Sequence, residues 1–272
     1  NDQKSYERLK KQEGIPTVPK ERRIRPIHIW QSAAAILFLL LASSVYLSTV
    51  GTKAETDLLQ QYIPIAEMRS LTLPDGTKVQ LNSKSTLLYP HEFTGDSRSV
   101  FLLGEANFKV KPDKKRPFIV KSNDLQITAL GTEFNVSAYP ESQEIATTLI
   151  SGSIRVAYNN LTTSVILHPN EQFAYNRNNK KYDLSNPDMD DVTAWQRGEL
   201  VLQKMTLTDI INVLERKYPY AFVYSIKNLK NDRFSFRFKD NAPLEEVMEI
   251  IVNVVGQMDY RIVEDKCYLT RI

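Results

Sequence analysis

The sequence is poor in the residues that assemble catalytic and metal centres. Its 272 residues include one cysteine, three histidines and nine glycines. The single Cys267 excludes an internal disulfide, and His28, His91 and His168 are dispersed without cysteine partners, so no metal-ligand spacing can be assembled. No glycine-rich phosphate loop is present, and the scattered acids offer no pair suited to glycosidase chemistry. Charge of either sign is not in excess: 35 Lys+Arg against 32 Asp+Glu leave +3, too little to mark a nucleic-acid surface by itself. What is there is ordinary globular composition, 42% hydrophobic and 25% charged, which excludes a wholly disordered or fibrous chain and allows two modest domains.

One stretch lacks charge altogether. Ile27 to Val50 holds 24 residues without Asp, Glu, Lys or Arg. As a helix it would extend about 36 Å at 1.5 Å per residue, against a hydrocarbon core of about 30 Å. A single transmembrane helix over 27–50 is expected; a cleaved signal peptide has a shorter apolar run and a shorter preceding region. Before it, residues 1–26 carry eight basic and four acidic residues, +4, which predicts a cytoplasmic amino end. The remainder is left at about −1, which argues against nucleic acid as its ligand. Residues 51–68, with Leu58, Leu59 and Ile63 among polar residues, read as a stem leaving the membrane.

Beyond Arg69 the hydrophobic period becomes two. Val79 and Leu81, Phe108 and Val110, Leu125 and Ile127, Phe134 and Val136, Ile154 and Val156, and Phe173 and Tyr175 each alternate with polar neighbours. Turn signals separate the runs at Pro74-Asp75-Gly76, Gly95-Asp96, Leu103-Gly104, Gly152, Asn159-Asn160 and Asn178-Asn179. Many short strands at this spacing predict an all-β sandwich, barrel or short β-solenoid over 69–189. Lys111, Lys114, Lys115 and Arg116 read as a solvated hairpin end.

The acidic, proline-containing break Asn186–Asp191 places a boundary near residue 190. The pattern then reads β-α-β-β-α-β-β over 190–272, a small α+β domain. One helix is capped by Thr206 or Thr208, and a second runs from Pro243 to Gly256. Leu207–Ile211 echoes Leu244–Met248, which two β-α-β units would explain. Phe234, Phe236 and Phe238 alternate strictly and are expected to face the core, since exposing all three would leave a large apolar patch. His168, in a turn composition, is expected at the surface.

Several phrases resemble the periplasmic domain of FecR-family regulators. They are Leu73-Pro74-Asp75-Gly76-Thr77 with Val79-Gln80-Leu81-Asn82, Gly104-Glu105-Ala106 with Phe108, and Pro117-Phe118. Leu130-Gly131-Thr132 with Phe134-Asn135-Val136, Thr148-Leu149-Ile150 with Gly152, and Leu167 with Pro169 and Gln172 continue the series in the family's order. The last eighty residues resemble the small carboxy-terminal module of such regulators, itself similar to the short domains of secretins and TonB-dependent receptors. The resemblance implies an inner-membrane, single-pass anti-sigma regulator of an extracytoplasmic-function sigma factor, signalled by the amino-terminal domain of a TonB-dependent outer-membrane transporter. It also implies regulated proteolysis by a membrane-embedded protease. The helical sigma-binding domain usual in the family does not fit within 26 residues, and the chain opens on Asn1, so a piece of a longer protein is expected.

Two sites follow. Gly131-Thr132 reads either as a bend in which glycine relaxes the backbone, or as a self-cleavage pair, which some relatives are understood to use. In the second case the Thr132 hydroxyl attacks the Gly131 carbonyl. Tyr268, Thr270 and Ile272 on the last strand are expected to form a free sheet edge for strand addition by a partner. No cofactor, metal or enzymatic turnover of a small molecule is expected. A membrane-anchored envelope or polysaccharide-binding β-protein with a structural role is the alternative.

Overall fold

The structure, a computed structural model, describes residues 26–51, 57–225, 232–240 and 242–271. The chain divides into two units, Asn1–Glu55 and Thr56–Ile272, each taken by itself. The expected cytoplasmic stub lies outside the described residues except at Pro26. In the first unit α1 (Pro26–Gly51) is a 26-residue helix without an acidic first turn or a basic last turn. Its described side chains, at 31 and 34–46, are all exposed. Among the described residues no helix is long and apolar enough to cross a membrane.

The second unit begins with β1 (Leu58–Tyr62), β2 (Arg69–Thr72), β3 (Lys78–Leu81), β4 (Thr86–Pro90) and β5 (Arg98–Lys109). It continues through β6 (Phe118–Ser122), β7 (Leu125–Ala129), β8 (Glu133–Ala138), β9 (Glu144–Ser151) and β10 (Ile154–Tyr158). β11 (Thr163–Leu167), β12 (Gln172–Asn176) and β13 (Tyr182–Ser185) complete a 13-stranded sheet. The part read as a stem is corrected here: Leu58–Tyr62 pairs antiparallel with Thr86–Pro90, and Ile63 behind it is fully buried.

The sheet curls on β5. The first half of β5 pairs with β4 and, in parallel, with β6; the second half pairs with β3 and β8. Leu103-Gly104 is therefore not a turn but a bend inside a 12-residue strand. Gly104 has φ +107, and a Cβ there would lie 2.4 Å from Ser85 Oγ. That hydroxyl accepts from Glu105 N–H at 2.9 Å, so the bend keeps its hydrogen bonding. The two halves enclose one apolar core, in which the Phe108 ring lies 5.4 Å from Phe134 and 6.0 Å from Phe118. A solenoid is excluded, since among the described residues every ladder of this sheet is antiparallel except β5–β6. For the same reason the lysine-rich segment 110–117 links parallel neighbours and is not a hairpin end.

A short helix α2 (Met189–Thr193), capped by Asp188, and a 3-10 turn (Ala194–Arg197) follow the expected break. Then come β14 (Leu200–Thr206), α3 (Leu207–Lys217), β15 (Ala221–Val223), β16 (Arg233–Phe238), α4 (Leu244–Val255), β17 (Met258–Val263) and β18 (Lys266–Arg271). The element order is as read from the sequence, and Thr206 is the cap of α3, accepting from Asp209 N–H. The pairing differs. β14 pairs with β16 while β15, β18 and β17 form a second sheet, so each helix leads from one sheet to the other and neither completes a β-α-β unit within one sheet. Both helices bury an apolar face in a core shared with both sheets, including Ile210, Leu214, Val247 and Ile251, which a single-sheet layout would not require. Phe236 and Phe238 are buried in that core and Phe234 packs against it.

Candidate functional site

Where the module carried by α3 and α4 meets the curled sheet, residues of both line a groove of about 1480 Å³. Its floor is polar because β5 and β8 turn every second residue away from the apolar core. Glu105 and Asn135 project there, and Asn82 follows β3. Glu105 accepts from Asn82 Nδ2 at 2.8 Å and from Asn135 Nδ2 at 3.0 Å. Asn135 Oδ1 in turn accepts from Trp195 Nε1 at 3.3 Å, which ties the 3-10 turn to the sheet. Burial raises the Glu105 carboxyl above its ordinary value; the two asparagine hydrogen bonds and the Arg216 charge oppose that rise.

Arg216 comes from the last turn of α3. It reaches Glu141 Oε1 at 2.7 Å and lies 3.8 Å from the Tyr139 ring centroid, a cation–π arrangement. Its carbonyl accepts from Ala66 N–H at 3.0 Å. Burial pushes the Tyr139 hydroxyl up; it donates to Ser83 O at 2.9 Å. Beside Arg216, burial lowers Lys217, whose ammonium donates to Gly198 O. One strand of contact thus runs from β5 through Asn135 to Trp195, and another from Tyr139 through Arg216 to α3. Such an arrangement can transmit a change in the seating of one part to the other.

The first sequence-derived site, Gly131-Thr132, lies at the bend between β7 and β8. Gly131 has φ +155, and a Cβ on it would come 2.9 Å from Pro112 Cα. Thr132 is 7% exposed and its Oγ1 has no hydrogen-bond partner. Both readings of the pair therefore retain a physical basis: glycine is required for conformation, and the hydroxyl is uncommitted.

The second sequence-derived site is corrected. Tyr268 and Thr270 sit on β18, which is the central strand of its sheet, parallel to β15 and antiparallel to β17; Ile272 lies outside the described residues. A parallel partner supplied from the other side of α4 takes the edge expected to be free. His168 is exposed in its turn, with its N–H donating to Glu171. Among the described residues no cluster of His, Cys, Asp and Glu is suited to a metal ion. Sequence reasoning did not single out Glu105, Asn82 and Asn135 as a site. The signal was the polar residues at the outward positions flanking them, Gln80, Lys109, Glu133 and Ser137, in an otherwise apolar alternation.

Fold and groove together define a two-part β-rich protein with a polar groove where its parts meet. The chain belongs to the FecR family of anti-sigma regulators. The family profile described as FecR protein matches residues 63–155, and that described as FecR, C-terminal matches residues 199–269. Two crystal structures of a candidate anti-sigma factor from Parabacteroides distasonis, at 2.50 and 1.65 Å resolution, are similar to it. Each is 34% identical, covers 79% of this chain and 99% of its own, and superimposes with a TM-score of 0.74. None of the curated proteins matches.

Proposed function

We propose that this chain is a single-pass inner-membrane regulator that carries a periplasmic signal from a TonB-dependent transporter to an extracytoplasmic-function sigma factor. Membership of an anti-sigma family implies a sigma partner. The amino end would be cytoplasmic by the charge of residues 1–26, and the uncharged run 27–50, some of whose side chains lie outside the described residues, would form the span; its Ile36 to Leu41 are all 58% exposed or more. The observation that carries the signalling reading is the groove shared by the sheet and the α+β module. A protein seated there would touch both ends of the Glu105–Asn135–Trp195 and Tyr139–Arg216 contacts, and binding energy is what shifts such an equilibrium.

Output would be regulated proteolysis. Its first cut is self-cleavage at Gly131-Thr132, with no small-molecule substrate. Thr132 Oγ attacks the Gly131 carbonyl carbon, the C–N bond gives way to an ester, and the hydroxyl proton passes to the new Thr132 amine. Water then hydrolyses the ester to a Gly131 carboxylate and a free Thr132 hydroxyl. A membrane-embedded protease would complete the release of a cytoplasmic fragment.

The relay is tested with the full chain in membranes. Signalling domains of transporters encoded nearby should be retained by it, and Arg216→Glu should lose that retention. Retention of none of them would sink the proposed input.

A further inference from the structure

The Gly131-Thr132 bend is braced by one segment of chain. Asp113 N–H donates to Leu130 O at 2.9 Å, and Val110 N–H donates to Thr132 O at 2.9 Å, so the carbonyls on both sides of Gly131 are tied to residues 110–117. Pro112 packs on Gly131 between those two bonds. From the other side, a Cβ on Gly152 would lie 2.6 Å from Thr132 Cγ2. The absence of a side chain at Gly152 is what lodges the threonine methyl there. With the methyl seated, Oγ1 is left buried and unpaired, which is destabilising.

The bracing segment is itself held by a buried ion pair. Arg98 Nη1 donates to Asp75 Oδ2 at 2.7 Å and to Lys111 O at 2.8 Å, and Arg98 Nε donates to Arg116 O at 2.9 Å. The two side chains are 1% and 4% exposed. Asp75 also accepts from Thr77 N–H and Oγ1, and Thr77 Oγ1 accepts from Lys111 N–H at 3.2 Å. Both ends of 110–117 are thus pinned through a single guanidinium. A buried pair adds little net stability over an apolar replacement, so position is what this one supplies.

We propose that the Asp75–Arg98 pair is a positioning device for self-cleavage. By fixing segment 110–117 it holds the Gly131 backbone at φ +155 beside a Thr132 Oγ1 that is buried and uncommitted. This rests on the self-cleavage reading above.

The test follows the purified full chain by mass spectrometry for a split after Gly131, with and without hydroxylamine, which cleaves the ester and spares the amide. The wild type should yield two fragments and Thr132→Ala none. Asp75→Asn and Pro112→Gly should slow the split by about 10- to 100-fold, the scale expected of small misplacements of reacting groups. The hydroxylamine-sensitive fraction should fall in parallel, at a temperature where circular dichroism shows each variant folded. Pro112 is exposed, so its variant decides the matter if Asp75→Asn does not fold. A wild type that stays intact and insensitive to hydroxylamine removes the self-cleavage reading and the positioning role with it. A wild type that splits while the folded variants split equally fast removes the positioning role alone.

Discussion

At the scale of single residues, the family phrases acquire separate physical tasks. Asp75 serves as ion-pair partner, Gly76 takes φ +87 beside Lys111, and Thr77 receives and gives hydrogen bonds. A turn composition at Pro74-Asp75-Gly76 was legible in the sequence, but its partner Arg98 stands 23 positions away at the start of β5 and looks like any strand-end charge. Cys267 is fully buried, and burial pushes its thiol up to about 11. Since the thiolate is the reactive form, the folded chain at pH 8 should resist maleimide labelling and react once unfolded, which intact-mass measurement reads directly. Appreciable labelling of folded protein would mean that the β15–β18 sheet opens readily.

At the scale of elements, the strands were legible wherever one face is buried, because alternation is the imprint of a one-sided core. Val79, Phe108, Ile127, Phe134, Val156 and Phe173 all fall where that rule puts them, with 0 or 1% exposure. The edges were less legible: β1 and β13 have no buried residue, so their periodicity carries no contrast. Gly104 was misread for a different reason. Glycine marks both turns and bends, and only the pairing of β5 on both sides tells them apart. Gly104→Ala should therefore destabilise the unit by about 2–4 kcal/mol, from the left-handed conformation and the collision with Ser85 together, as read by urea unfolding. Gly95→Ala, with open space at its Cβ, is the matched control and should change little.

At the scale of the whole molecule, the groove joins what the alternation kept apart. Glu105, Asn82 and Asn135 are ordinary outward polar residues until register and the 3-10 turn bring them under Trp195, which no local pattern encodes. Glu105 is raised in the folded state, so folding binds its proton more tightly than the unfolded chain does. Its contribution to stability is full below its ordinary value of 4.5 and is lost as pH rises through the folded value. Glu144 is raised in the same direction, so the comparison must be a difference. Between pH 4 and 8 the thermal midpoint of the wild type should fall relative to that of Glu105→Gln; a constant offset would show that the carboxyl is not desolvated.

β18 also sets an order of events in the making of the protein. β15 and β17 touch each other only through it, and it is the last of the three to be synthesised. Until residues 266–271 emerge, β15 waits as an unpaired strand and β17 as half of a hairpin, across the whole of β16 and α4. Chaperone protection would matter most during that interval, and a nick between α4 and β18 would release the strand on which the sheet is assembled.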